Sequence, residues 1–293
     1  MLPVLLDLKV IKIYTFGVFL VLSLFWGAFL LWRNVRLTQY KEEDIFDSMI
    51  VSLIGGMFVG RLVYVLLNWS SFGFDILKFI LINGYPGFSF YGCIAGGMLF
   101  LGIYFSFKKI KFNEIIDYLV TPLFVALGIS KIGAFFAGTE VGTKTKFPIA
   151  LKYVGFDGFR HLTPLYEGIL FFLGAFISYK IMFAIRRDKY KKGFLFQFFF
   201  WYLALVYFLF DPIKSYHVMV LNQSFNRMVS LIILLTFSFY FLYYFRSLFT
   251  SGLGSFINLL SKYGKGTYKS VHKGSGKQVK TGEGQDSETD IPA

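Results

Sequence analysis

Pro122-Leu-Phe-Val-Ala-Leu-Gly-Ile-Ser-Lys131-Ile-Gly-Ala-Phe-Phe136 is the stretch on which the fold turns. Apart from Lys131 it is uncharged, and it belongs to an apolar run long enough to cross a bilayer, which takes roughly 18–20 residues as a helix. Runs of this kind recur along the chain, and seven spans are read at about 13–32, 48–68, 88–107, 115–136, 163–184, 194–210 and 228–248. Backbone groups in hydrocarbon must find partners within their own segment, so the spans are expected to be helices. The short alternating segments of a β-barrel are missing. The expected fold class is therefore all-α, a polytopic membrane bundle. Composition agrees, with 56% hydrophobic and 21% aromatic residues and a mean hydropathy of +0.60.

Lysine and arginine placement sets the expected orientation. With the N-terminus outside, the short inner loops carry Arg33, Arg36, Lys41, Lys108, Lys109, Lys111 and the run from Arg186 to Lys192. The C-terminal region adds Arg246 and six lysines. The outer segments hold fewer basic residues in longer loops, so N-outside and C-inside is favoured. The net charge of +13 flanks the spans, where it attracts anionic lipid rather than nucleic acid. The first apolar run is too long for a cleavable signal peptide, and no small-x-small pattern follows it. A single cysteine, Cys93, excludes an intramolecular disulfide and a cysteine metal cluster.

Residues 1–250 read as one membrane domain. Residues 251–293 read as a cytoplasmic tail, basic and Gly/Ser/Lys-rich and then acidic from Glu283, expected to be disordered because it has too little apolar area to offset its ordering entropy. Leu248 to Leu260 is a candidate interfacial helix, weakened by Gly252 and Gly254. No internal repeat is visible, which counts against a secondary transporter. The 69–87 and 137–162 segments are the longest loops before the tail, and both fall on the outer side.

Lys131 is a functional-site candidate, because a cation in an apolar span must be paired. The competing reading is a lysine that snorkels to the span end. Gly133, Gly138 and Gly142 follow it, and a membrane-embedded cation beside a glycine-loosened segment suits a phospholipid head group. Arg61, deep in the second span, reads either as a donor fork for phosphate or as the partner of Glu167 or Asp117. Ser89 and Tyr91 open the third span, where helix amides attract an anion and a tyrosine hydroxyl can donate to it; Gly92, Gly96 and Gly97 behind them permit close helix packing. Glu167 is the lone carboxylate of the fifth span and should pair with Arg61, Lys131 or a hydroxyl, or be protonated. His161 lies in a pH-sensitive or merely solvated position at the entrance to that span. Asp211, Lys214 and His217 read as a solvated charge cluster.

In this order, the segments resemble the prolipoprotein diacylglyceryl transferase family from about Tyr14 to Ser230. Gly60-Arg-Leu-Val-Tyr64 looks like the family's Gly-Arg-x-Gly-Tyr, and Ser89-Phe-Tyr-Gly92 is similar to its Ser-Phe-His-Gly. Ser130-Lys-Ile-Gly-Ala-Phe-Phe-Ala-Gly138 stands at the position of its arginine-containing signature. His161-Leu-Thr-Pro-Leu-Tyr-Glu167 resembles its His-Pro-Thr-Gln/Pro-Leu-Tyr-Glu. There are departures. Tyr91 stands where the family usually has a histidine, Lys131 where it has a phosphate-binding arginine, and Ala134 where it often has asparagine or cysteine. In the sixth span, Tyr202-Leu-Ala-Leu-Val206 lacks the family's second arginine, and Phe210 stands where it has an acid.

The resemblance implies a seven-span enzyme with an outside N-terminus in the bacterial inner membrane. It would transfer the diacylglyceryl group of phosphatidylglycerol to the lipobox cysteine of a prolipoprotein, with glycerol phosphate leaving. Tyr91, His161 and Glu167 would be catalytic, and Lys131, Arg61, Ser89, Gly138, Gly142, Tyr14, Tyr166 and Tyr202 would bind substrate. No cofactor or metal is implied, since the nucleophile is the substrate's own thiol. The rival expectation is a relative that binds phospholipid or prolipoprotein without turnover. A small-molecule transporter is a third.

Overall fold

A computed structural model describes residues 3–7, 12–82, 84–220 and 222–246. The tail and the candidate interfacial helix from Leu248 lie outside the described residues. Seven long helices carry the chain: α1 (Thr15–Val35), α2 (Glu42–Leu67), α5 (Phe90–Phe107), α6 (Phe112–Ala137), α7 (Thr163–Arg186), α8 (Phe194–Phe210) and α9 (Phe225–Tyr244). Each is long and apolar enough to cross a membrane, as the hydropathy pattern requires. The short helices α3 (Trp69–Phe72) and α4 (Ile76–Ile80) lie between α2 and α5. Three two-stranded antiparallel hairpins complete the fold: β1 (Val4–Asp7) with β2 (Lys12–Tyr14), β3 (Ala150–Lys152) with β4 (Phe159–His161), and β5 (Met219–Val220) with β6 (Gln223–Ser224). Residues up to 238 form one unit; of the second, from Phe239, only 239–246 are described.

Within the first unit, α2 lies along α5, α1 along α6, and α6 along α7. Lipid offers these helices no hydrophobic drive to associate, so close approach at small residues has to do it. A Cβ added at Gly56 would lie 2.8 Å from the carbonyl oxygen of Cys93, and one at Gly96 would lie 2.8 Å from that of Gly55. The two backbones meet at distances closed to any side chain, as expected for the glycines of the third span.

Polar groups inside the bundle repair what the sequence breaks. Pro122 has no N–H to give to the carbonyl of Tyr118 one turn earlier. That oxygen accepts from Asn34 Nδ2 of α1 at 3.0 Å instead, so the proline fixes where α1 sits against α6. The α8 N-terminus has no side-chain cap of its own, since Gly193 precedes it in the left-handed conformation. Asp117 of α6 supplies the cap from across the bundle, accepting from Gly193 N at 2.6 Å and Phe196 N at 3.0 Å. Asp117 is thus committed to α8 and not to Arg61. Asp117→Ala should lower the unfolding free energy by about 2 kcal/mol, because it leaves two buried amides unpaired. Thermal unfolding in detergent measures this, and an unchanged midpoint would refute the capping role.

Candidate functional site

Lys131 lies six residues before the end of α6, about 9 Å along the axis. It is buried, its side chain only 9% exposed, which removes the snorkelling alternative. Gly138 ends the helix in the left-handed conformation, at φ 69°, and turns the chain back over it. Two residues on, Glu140 brings its carboxylate onto the Lys131 ammonium, accepting hydrogen bonds at 2.6 and 2.7 Å. From α7, Glu167 Oε2 stands 2.7 Å from the same ammonium, and its Oε1 stands 2.6 Å from Lys214 Nζ. Lys214 also lies 3.8 Å from Glu140 Oε2.

Two lysines and two glutamates therefore form one closed cluster of zero formal charge. They come from α6, the loop after it, the start of α7, and the segment after α8. Glu167 is fully buried, while the Glu140 side chain is 37% exposed. Burial alone would raise the Glu140 carboxyl, but the Lys131 and Lys214 ammoniums outweigh it and hold it below the usual carboxylate range. The Tyr207 ring of α8 lies under both cations, its centroid 5.4 Å from Lys131 Nζ and 4.7 Å from Lys214 Nζ. The two glutamates differ in kind. Glu140 receives hydrogen bonds, whereas the oxygens of Glu167 have ion contacts but no hydrogen bond of good geometry.

Of the alternatives open to Glu167, Lys131 is the partner that the fold provides. The solvated reading of the Asp211, Lys214 and His217 group is corrected: Asp211 is buried, with its Oδ2 3.5 Å from His217 Nδ1, and Lys214 points into the cluster. Lys214 is held there by its backbone, which bridges to Gly142, whose own carbonyl accepts from Arg160 Nη1 at 3.1 Å and Ser215 Oγ at 2.7 Å. A Cβ on Gly142 would lie 2.5 Å from the His161 carbonyl oxygen, so only glycine fits there.

Arg61 also departs from expectation. It meets neither Glu167 nor Asp117. Its guanidinium is buried and gives Nε to the Phe79 carbonyl at 3.0 Å, Nη1 to that of Gly87 at 2.9 Å and Nη2 to that of Lys78 at 2.8 Å. Arg61 braces the loop between α2 and α5. Ser89 begins α5 as its N-cap, its Oγ accepting from Gly92 N at 3.3 Å. Ser230 Oγ donates to the Asn226 carbonyl, so Tyr91 is the donor in its own hydrogen bond to Ser230. The Tyr91 ring meets that of Tyr207 edge-on at 6.2 Å.

His161 lies on β4 between the rings of Phe147 and Tyr166. Its Nδ1 has no hydrogen-bond partner among the described residues. Tyr166 donates to the Ile149 carbonyl at 2.7 Å, and Tyr202 to the Leu170 carbonyl at 2.8 Å. Tyr14 is 59% exposed at the start of α1. An apolar cavity of about 430 Å³ opens between α1, α2, α5, α6 and α8, with Ser52, Gly56, Cys93, Met98 and Leu123 on its walls. Glu140 and Tyr207 escaped the sequence reading, and Lys214 entered it only as part of a solvated charge cluster. The signal for two of them was a lone carboxylate just past the Gly138 turn and a lysine just past the sixth span.

A family model described as prolipoprotein diacylglyceryl transferase matches residues 3–243. The chain is 32% identical over 181 residues to the phosphatidylglycerol–prolipoprotein diacylglyceryl transferase of Clostridium tetani, covering 59% of this chain and 71% of that protein. With the protein of the same name from Clostridioides difficile, it shares 27% over 184 residues, 62% of this chain and 71% of the other. The corresponding Desulfotalea psychrophila protein is 30% identical over 198 residues, 65% and 70% of the respective chains.

Proposed function

Because the chain belongs to the prolipoprotein diacylglyceryl transferase family, we propose that it moves the diacylglyceryl group of phosphatidylglycerol onto the lipobox cysteine of a prolipoprotein. The observation that carries this reading is the pair of lysines at one end of the bundle, Lys131 buried and Lys214 half-buried, each matched to the fully buried Glu167. In this reading the site faces the outer side of the bacterial inner membrane, and the acyl chains lie in the apolar cavity.

Chemistry at the cluster needs two things, a place for the proton of the thiol and a place for the charge on the departing phosphate. Glu167, the fully buried carboxylate between the two lysines, answers the first in this reading. As it takes the proton, the sulfur attacks the glycerol carbon that bears the phosphate ester. A C–S bond forms, the C–O bond breaks, and the electron pair leaves on glycerol phosphate. Lys131 and Lys214 hold that charge, and the proton passes from Glu167 to the leaving phosphate or to water. Lys214 makes good the cation that Val206 does not supply. Neither lysine offers the planar fork of an arginine, so two point charges replace bidentate contacts. His161, with its free Nδ1, is the second proton-accepting group in this reading. Arg61 and Ser89 act by holding the ends of α2 and α5.

The commitment of the Tyr91 proton to Ser230 favours a second reading, a relative that binds lipid or prolipoprotein without turnover. Incubating the purified protein with phosphatidylglycerol and a lipobox peptide separates the two. The peptide should gain one diacylglyceryl mass by mass spectrometry. No gain, with a known transferase active alongside, refutes the enzyme reading and leaves the binding one.

A further inference from the structure

We infer that Glu140 is an internal stand-in for the lipid phosphate and must leave Lys131 before phosphatidylglycerol can be held there; this rests on the transferase reading above. The Lys131 ammonium carries three protons, two of which go to the two oxygens of Glu140. A carboxylate so placed occupies the position that two oxygens of a phosphodiester would take. Glu167, the other anion on this cation, is fully buried on α7 and cannot vacate without opening the bundle. Glu140 is the exchangeable one. Its side chain is 37% exposed, and it stands on the loop just after the left-handed Gly138 and not on a helix.

The exchange also balances in charge. A phosphodiester and a carboxylate each carry one negative charge, so the cluster stays neutral when one replaces the other. Lys214 lies 3.8 Å from the nearer Glu140 oxygen, too far for a hydrogen bond, and gains a close anion when the phosphate arrives. Without a lipid, the cations stay paired. Glu140 thus keeps the site from presenting one uncompensated positive charge to adventitious anions, and the cost is weaker lipid binding.

The test uses the full chain in nanodiscs of zwitterionic lipid doped with phosphatidylglycerol, with bound phosphatidylglycerol read by native mass spectrometry. Glu140→Gln removes the competing charge and should bind phosphatidylglycerol about tenfold more tightly than the wild type, with a matching fall in KM. Equal or weaker binding by Glu140→Gln overturns the proposal and makes Glu140 part of the lipid site or a structural partner. Should Glu140→Gln fail to fold, Glu140→Asp keeps the charge but shortens the reach. It must then tighten binding in the same direction, and a failure to do so equally overturns the proposal. Binding needs no turnover, so tighter lipid binding in a protein that leaves the lipobox peptide unmodified refutes the transferase reading and not this one.

Discussion

Lys131→Ala should cut diacylglyceryl transfer by about 100-fold or more, the scale seen when a preorganised charge-stabilising donor is removed. The substitution removes the cation that lies within 2.7 Å of both carboxylates of the cluster. The lost stabilisation is greatest where charge builds on the leaving phosphate, so kcat should fall more than KM rises. Lys131→Arg, which keeps a cation at this position and adds a planar donor fork, should keep most of the activity. Steady-state assays with a lipobox peptide measure both variants. Turnover by Lys131→Ala at the wild-type rate would detach Lys131 from the chemistry.

Glu167→Ala should be the most destabilising single change in the cluster, at about 3–5 kcal/mol, because it strips a buried partner from two cations at once. Glu140 reaches Lys131 but stands 3.8 Å from Lys214, so it cannot neutralise both. The double variant Glu167→Leu with Lys214→Met exchanges charges for apolar groups and should recover most of the loss. Thermal unfolding in detergent distinguishes the three proteins. If the double variant were no more stable than Glu167→Ala, the loss would come from packing and not from an orphaned charge.

The spans were legible because a bilayer imposes a length on apolar runs, and every long helix begins and ends within about seven residues of its expected bounds. Close packing by the third span was legible too, from Gly92, Gly96 and Gly97, whereas its partner, α2, was not. The cluster was not. Lys131 and Lys214 are far apart in the chain, and only the fold brings the segment after α8 against the turn at Gly142. Lys214 follows Pro212 among polar residues, which is how a solvated loop also reads. Arg61 misled for a different reason. Its partners are the carbonyls of Lys78, Phe79 and Gly87, and every residue has a carbonyl, so no side-chain pattern marks them. The two acids that the sequence reading offered to Arg61, Glu167 and Asp117, are each committed elsewhere.

The sequence order of the four cluster residues has a consequence for biogenesis. Lys131 enters the membrane first, and the next two members, Glu140 and Glu167, are both acidic. Among the cluster residues, a nascent chain that has delivered α6 and α7 carries one negative charge too many. A lone charge in hydrocarbon is expensive, so the hairpin is expected to close only when α8 arrives with Lys214 behind it, Glu140 staying in water until then. The last member to be synthesised is therefore the one that lets these ends of three helices close.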